Sequence, residues 1–335
     1  MNRADVSVII PAFRAEATIR RALASVAAQT LRPKEVIVVD DGSPDRTSDE
    51  ARAMAGTLGD IPLRVIRQDR AGPGAARNRA LREASAAFVA FLDADDEWLP
   101  AKIERSFAHI TDGLVLVAHD GFIVDASGGR SLNACARRFT EPRDPFVTLY
   151  RKGFIDTCSV VARRGAVLAA GGFDEQLPNA QDFDLWLKML APPGARFVVF
   201  AEPLVLYHLS PEGVMSHVDR RLACCLEIAR RHARALTARP GSALASVLFR
   251  VLAVHHEAAM AHRRRGRPLS ALAAGLAAPT SLLRLSLDCL APRNSAPPTK
   301  AVIAMAWLWV VIAAATYLVQ FRTLIDPVAR ALGIA

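Results

Sequence analysis

Short apolar runs alternate with amphipathic stretches through the N-terminal part of the chain. Residues 6–10 form a run stopped by Pro11, after which residues 16–29 carry Ile19, Leu23 and Val26 at helical spacing. A second run covers residues 36–39. The stretch 45–58 reads as the next helix, with Ser43 or Asp45 as its candidate cap. Residues 63–66 and 88–92 are further strands, and between them a helix over 75–84 is opened by the turn Gly72-Pro73-Gly74. Runs this continuously apolar belong to strands covered on both faces, so the alternation predicts a parallel α/β sheet with helices on either side.

The pattern changes further along. Between 115 and 207 it is mixed, with short strands expected at 114–118, 159–162 and 197–200, a helix over 182–190, and turns rich in Gly and Pro. Helical segments follow over 219–237, 243–264 and 269–290, parted by Pro240-Gly241 and by Gly266-Arg267-Pro268. The last contains Pro279, which argues against a clean membrane span there. A Pro-rich linker over 291–300 leads into 301–321, an uncharged stretch with Trp307, Trp309 and Tyr317, bracketed by Lys300 and Arg322. Its length matches the ~20 residues that cross ~30 Å of hydrocarbon, so one transmembrane helix is expected, the alternative being a buried core helix. The expected organisation is an α/β domain over 1–216, a helical region over 217–290 that bundles or lies along a membrane, the linker, the span, and a short tail over 322–335.

Charge narrows the partners. The net charge of +9 gathers in arginine clusters such as Arg220-Arg221, Arg230-Arg231 and Arg263-Arg264-Arg265, which attract nucleic acids and anionic lipid headgroups alike. No nucleic-acid-binding motif accompanies them, and 6% aromatic residues leave little stacking surface; a membrane is the expected partner and nucleic acid is not. Cys135, Cys158, Cys224, Cys225 and Cys289 lack CxxC spacing and fit reduced, buried thiols of the cytosol. Residues 1–5 run into a strand without a charged and then apolar leader, so no cleavable signal peptide is expected. Arg293 and Lys300 before the span balance Arg322 and Arg330 after it, which leaves its orientation to be settled by function.

Two apolar runs end in acids. Val38-Val39-Asp40-Asp41-Gly42-Ser43 and Phe91-Leu92-Asp93-Ala94-Asp95-Asp96 deliver carboxylates to the carboxyl ends of strands, where open α/β sheets bind ligands. A site where a cation meets a nucleotide is the functional reading. Asp40 and Asp41 as an Asx-type turn, and the second group as a solvated acidic loop, are the structural alternatives.

Further pieces accompany them in order: Val6-Ser7-Val8-Ile9-Ile10-Pro11-Ala12-Phe13 at the start, Gly72-Pro73-Gly74-Ala75-Ala76-Arg77-Asn78 in the middle, and Gln181-Asp182-Phe183-Asp184-Leu185-Trp186-Leu187 at the end. With these, the chain up to Ser216 resembles a family 2 glycosyltransferase of GT-A fold, a nucleotide-diphospho-sugar transferase with a Rossmann-like mixed sheet. The part beyond Ser216 lies outside the resemblance.

The resemblance implies an inverting transfer of a sugar from a nucleotide-diphospho-sugar, first of all a UDP-sugar, to a hydroxyl of a saccharide or lipid-linked acceptor. Polysaccharide or glycolipid assembly is the implied setting, with Mn²⁺ or Mg²⁺ as cofactor. Pro11 and Phe13 would line the nucleoside pocket and Asp41 would accept a hydrogen bond from the base; a carboxylate only accepts, so it selects a base edge with an N–H. Arg77 would contact donor phosphate or base. Asp93 and Asp95 form a DxD of hard oxygen donors suited to such cations, Asp95 as direct ligand and Asp93 toward ribose or as a second ligand. Asp182 would be the general base, its alternative being an acid favoured by a helix N-terminus. Asp96, Gln181 and Trp186 are expected on the acceptor side.

Two departures from the family pattern stand out. Gln181 occupies the place of a Glu, which removes a charge beside Asp182, and Ser210 stands where a His is usual, leaving His208 and, more weakly, His217 as substitute metal ligands. A catalytically silent, membrane-attached sugar-nucleotide-binding scaffold is therefore one competing reading. A nucleotidyltransferase is another, but it needs a Gly-rich loop where Pro11-Ala12-Phe13-Arg14 stands. Because nucleotide sugars are made in the cytoplasm, the catalytic domain is expected on the cytoplasmic side of the inner or cell membrane, held by a single pass.

Overall fold

Strands form where the apolar runs predict them, and several extend beyond the ends of those runs. The structure, a computed structural model, describes residues 3–140, 144–209 and 217–290, apart from the side chains of 287–290. The expected linker, transmembrane helix and tail over 291–335, and Ser210, lie outside the described residues. β1 (Arg3–Ala12) and β2 (Arg32–Asp41) pair in parallel, Val8 against Val36 and Ile10 against Val38. Both are buried through their second halves, as two-sided cover requires. α1 (Ile19–Ala27) connects them and buries Ile19, Leu23 and Val26. The helix expected over 45–58 is interrupted at Met54, giving α2 (Thr47–Ala53) and α3 (Ala55–Leu58). β3 (Leu63–Gln68) follows, then α4 (Pro73–Glu83), whose first residue Pro73 has the fixed φ suited to a helix start. β4 (Phe88–Phe91) returns beside β1, again in parallel.

The next part is mixed. It contains β5 (Glu97–Trp98), α5 (Lys102–Ala108), β6 (Leu114–Val124), β7 (Arg130–Asn133), a 3₁₀ turn at Ala136–Phe139 and α6 (Pro145–Lys152). A second 3₁₀ turn, Thr157–Ser159, precedes β8 (Val161–Arg163), α7 (Arg164–Ala169), α8 (Gln181–Met189) and β9 (Arg196–His208). The sheet runs in the order β3-β2-β1-β4-β8-β6-β9-β5, with β7 on β6. β8 is antiparallel to both β4 and β6, whereas β9 is parallel to β6.

β6 and β9 are much longer than their apolar runs. Polar residues interrupt each run, yet pairing continues across register shifts at His119/Asp120 and Asp120/Phe122. Gly121 permits this, because a Cβ there would meet Val205 Cγ1 at 2.6 Å.

The chain divides into two compact units, residues 1–149 with 154–213 and residues 150–153 with 214–335. In the first, Val8, Ile10, Leu23, Val26, Val36, Val38, Leu92 and Trp98 share one core. In the second, α9 (Val218–Ala233), a 3₁₀ turn at Arg234–Ala238, α10 (Ala243–Arg264), α11 (Pro268–Leu276) and α12 (Ala278–Leu290) form a bundle in which α10 touches the other three helices. The single helix expected over 269–290 breaks at Ala277, because Pro279 has no N–H to donate and its ring crowds the preceding turn. Two stretches, Ala243–Arg264 and Pro268–Ser286, are long and apolar enough to cross a membrane by length and composition, at a mean hydropathy of 1.2 each.

Candidate active site

β1, β2 and β4 end at one edge of the sheet, and the predicted acids lie in the loops that follow. Asp40 is fully buried: one oxygen accepts from Ser43 N at 2.9 Å and the other from the Ser48 hydroxyl, which makes it the turn residue. Ser43 is therefore no helix cap; its hydroxyl instead accepts from Arg14 N at 3.0 Å. Asp41 accepts from Gln68 Nε2, Ala71 N and Gly72 N, each at 2.8 Å, and so shapes the loop that opens α4. A carboxylate offers about four acceptor positions, so one remains. Pro11 is buried near the end of β1, and the half-buried Phe13 ring has the Arg70 guanidinium 4.1 Å from its centroid.

The DxD loop follows Leu92. Asp93 is ion-paired with Arg77 at 2.6 Å, and Asp93 with Asp182 outweighs the burial that acts against the Arg77 charge. Burial and the neighbouring Asp93 raise the Asp95 carboxyl above its usual range, while Arg21 donates to the Asp95 carbonyl at 2.5 Å. Asp96 is only 6% exposed, and burial with Asp93 and Asp95 pushes it well up. Its oxygens accept from His208 N at 2.9 Å and from the Cys158 thiol at 3.2 Å. Asp96 thus ties β9 and the Thr157–Ser159 turn to the loop, in keeping with a supporting place behind Asp93 and Asp95.

His208 Nε2 lies 2.8 Å from Glu97 Oε1, which Arg21 also reaches at 3.2 Å, and the imidazole stands within electrostatic reach of Asp95. His217 lies in the second unit, at the start of α9. Among the described residues, Asp93, Asp96 and Cys158 form the one group whose potential ligand atoms come within 4.8 Å of one another. Its chemistry does not suit a soft metal, because burial holds the thiol protonated and it donates to Asp96. The hard oxygens of Asp93 and Asp95 do suit Mg²⁺ or Mn²⁺, and the mutual repulsion that raises Asp95 is what a bound cation relieves.

Asp182 opens α8. Its Oδ2 accepts from Thr157 Oγ1 at 2.9 Å, and its carboxylate stands within electrostatic reach of Arg77. The residue that turns the chain into this helix, Ala180, has φ 58°; Arg14, beside Phe13, has φ 52°. Among the described residues these are the non-glycine positions with positive φ, and such strain concentrates at functional sites. Phe91, Phe173 and Trp186 anchor the helix from below, with ring centroids 5.3 and 5.9 Å from Phe91. Trp186 is fully buried and donates to Ile155 O at 3.2 Å, so it carries α8 and offers no surface to an acceptor. Gln181 is also buried; it donates to Leu177 O at 2.5 Å and borders Gly74 on α4.

Residues 7–167 match the family described as Glycosyl transferase family 2. The match covers this segment, just under half of the chain. Succinoglycan biosynthesis protein ExoU of Rhizobium meliloti is 32% identical over 213 residues, which cover 58% of this chain and 59% of ExoU. The E. coli UDP-Glc:alpha-D-GlcNAc-diphosphoundecaprenol beta-1,3-glucosyltransferase WfgD is 27% identical over 219 residues, covering 65% of this chain and 82% of WfgD. An uncharacterized glycosyltransferase of Rickettsia felis is 30% identical over 196 residues, covering 55% of this chain and 31% of that protein. The match thus spans about a third of the Rickettsia relative and less than two thirds of ExoU. In fold, the chain resembles S. aureus TarS 1–349 in complex with UDP-GlcNAc at a TM-score of 0.62 and 22% identity, covering 99% of this chain and 92% of that one. The mannosyltransferase PcManGT from Pyrobaculum calidifontis, in complex with GDP-Man and Mn²⁺, gives a TM-score of 0.56 at 21% identity. The GT-A fold expected from the motif order is the fold found.

Several contacts of this site escape sequence reasoning. Asn78 exchanges hydrogen bonds with Phe173, through Nδ2 to its carbonyl and Oδ1 from its N–H, both at 2.8 Å, and so braces α4 against the segment before α8. Gly172 leaves room for that brace, since a Cβ there would lie 2.6 Å from Asn78 Oδ1. Thr157 and Cys158 touch Asp182, Asp93 and Asp96 at sequence separations of 25 to 65 residues, where no spacing rule applies.

Proposed function

We propose that this chain is an inverting glycosyltransferase that moves a sugar from a nucleotide-diphospho-sugar, most simply a UDP-sugar, to an acceptor hydroxyl. The observation that carries the reading is the junction at Arg77, a buried guanidinium that pairs with Asp93 of the DxD and feels the charge of Asp182. Donor side and base side are thereby joined through one residue.

Asp182 takes the proton of the acceptor hydroxyl, and the alkoxide forms its bond to the anomeric carbon on the face opposite the nucleotide. The bond from that carbon to the diphosphate oxygen breaks, and the nucleoside diphosphate leaves with its electron pair. Asp41 keeps the base-side loop closed through its amide contacts and accepts from the base N–H with its remaining lone pair. Phe13, beneath Arg70, offers an aromatic face to the nucleoside. A divalent ion held by Asp95 and Asp93 would supply Lewis-acid stabilisation of the leaving diphosphate.

UDP is favoured as the carrier because WfgD is named for UDP-Glc and TarS is complexed with UDP-GlcNAc, although PcManGT holds GDP-Man. Polysaccharide assembly is favoured by the relatives named for succinoglycan and amylovoran biosynthesis. The apolar stretch 301–321 and the basic helices support a membrane-held protein acting from the cytoplasmic face on a lipid-linked acceptor. A thermal-shift panel of UDP, GDP, dTDP and CMP, each with and without Mn²⁺, tests the donor class. Metal-dependent stabilisation by UDP is expected; no shift with any of the four would overturn the donor reading, and a shift without turnover would favour the silent scaffold.

A further inference from the structure

We propose that the 3₁₀ turn Thr157–Ser159 is a positioning element that sets the Asp182 carboxylate and the DxD loop relative to each other. The inference rests on reading Asp182 as the base and Asp93–Asp95 as the donor side.

The turn touches both sides through adjacent residues. Thr157 Oγ1 donates to Asp182 Oδ2 at 2.9 Å. The next residue, Cys158, accepts from Asp93 N and donates to Asp96 Oδ2 through one thiol, both at 3.2 Å. Arg77 closes the circuit from the other direction, bonded to Asp93 at 2.6 Å and biased by Asp182. Base and metal-side acids are thus linked twice, once through a cation and once through a turn.

The turn is itself held firmly from the core. Trp98 Nε1 donates to Cys158 O at 2.8 Å, and Lys102 Nζ donates to Val160 O at 3.3 Å. Ser159 donates to Asp156 O through both its N–H and its hydroxyl, and Asn133 Nδ2 holds the Asp156 carboxylate at 2.6 Å. Thr157, Cys158 and Ser159 are all buried. A carboxylate at the start of a helix keeps rotamer freedom unless another group fixes it. The Thr157 hydroxyl is that group for Asp182; among the described residues the other oxygen accepts from the adjacent Phe183 N.

Two pairs of variants of the full-length protein test this, with UDP release from UDP-glucose as readout, or from the sugar nucleotide selected by the binding panel. Thr157→Val keeps the shape and removes the donor; kcat should fall about 10- to 100-fold with donor KM within about twofold, as for a misaligned catalytic group. Thr157→Ser keeps the hydroxyl and should restore kcat to within about threefold. Cys158→Ala should instead raise donor KM about fivefold while kcat changes less, and Cys158→Ser should recover most of it. Asp182→Asn is the control for the underlying reading. Unchanged turnover in Asp182→Asn overturns the base assignment and this inference with it. An inactive Asp182→Asn beside a Thr157→Val that turns over like the wild type overturns the inference alone. Equal losses in Thr157→Val and Thr157→Ser also overturn it, because they mark a packing role. Should Thr157→Val fail to fold, the Cys158 pair decides: no change in donor KM for Cys158→Ala counts against the element.

Discussion

On the proposed reading, the donor and acceptor sides of the site are held in opposite ways. On the donor side, Asp41 is held by three groups 27 to 31 residues away on the neighbouring strand and its loop, two of them backbone amides. On the acceptor side, Asp182 depends on a hydroxyl from a separate turn and on a helix start forced by the left-handed Ala180. Backbone amides cannot be mutated away, whereas a side-chain hydroxyl can. The donor side is therefore a rigid cradle, and the acceptor side is an arrangement of long-range contacts that single substitutions loosen. Affinity for nucleotide should accordingly survive changes that abolish transfer.

The sharpest test of that contrast is Asp182→Asn. Removing the proton acceptor should lower kcat by about 10³-fold, within the range that general bases contribute, while nucleotide-induced stabilisation in a thermal-shift assay stays as in the wild type. Loss of nucleotide binding in the same variant would show that the two sides are one rigid unit and would break the comparison.

Metal dependence probes the donor side alone. Chelation with EDTA should reduce turnover by about 100-fold and Mn²⁺ should restore it; Asp95→Asn should be insensitive to added Mn²⁺ and lose the metal-dependent part of the nucleotide shift. If Asp95→Asn still gains stabilisation from Mn²⁺ with nucleotide, then Asp95 is not the direct ligand.

Gly172 tests how the acceptor side is braced. Gly172→Ala would place a Cβ 2.6 Å from Asn78 Oδ1 at a residue with φ 72°, so both sterics and backbone oppose it. A loss of about 1–3 kcal/mol in denaturant unfolding is expected, with kcat falling further than donor KM rises. A fully stable, fully active variant would mean that the α4 brace does not matter.

The same division governs what could be read from the sequence. β1, β2 and β4 were legible because two-sided burial leaves an apolar run, and the acids at their ends follow from where ligands bind in such sheets. β6 and β9 were legible only in part, because bulges at His119–Phe122 let pairing continue through polar residues. Asp182 and Asn78 lie in motifs, but Thr157 and Cys158 do not, and the Asn78 partner Phe173 could not be read either: each contact crosses a long stretch of chain that only the fold brings together. Sequence proximity to a catalytic motif does not say which way a side chain points, and in α8 the Trp186 ring turns inward.

The smallest expected effect concerns Lys102, which backs the Thr157–Ser159 turn. It is fully buried over the Trp98 ring, 4.0 Å from its centroid, and burial pulls its pKa down from 10.5 to about 7. In the unfolded chain it returns to its ordinary value. Between pH about 7 and 10.5 the unfolded chain therefore holds a proton that the folded protein does not, and stability from this group rises with pH across that window. Below pH about 7 both states are charged and the folded state bears the whole cost of burying the ammonium. Lys102→Met should stabilise the protein at pH 7 by about 1–3 kcal/mol and lose that advantage toward pH 10. Absolute slopes will not show this, because the buried thiols of Cys135, Cys158 and Cys225, raised by burial, stay protonated in the folded state and contribute with the opposite sign above about pH 8.5. His119, pulled down to about 3 by burial and by Lys102, is neutral throughout the window and adds nothing there. The difference between variant and wild type at each pH cancels the thiols and isolates the lysine. A difference that does not shrink with rising pH would mean that Lys102 is charged in the folded protein, and that the core side of the turn is wetter than its burial implies.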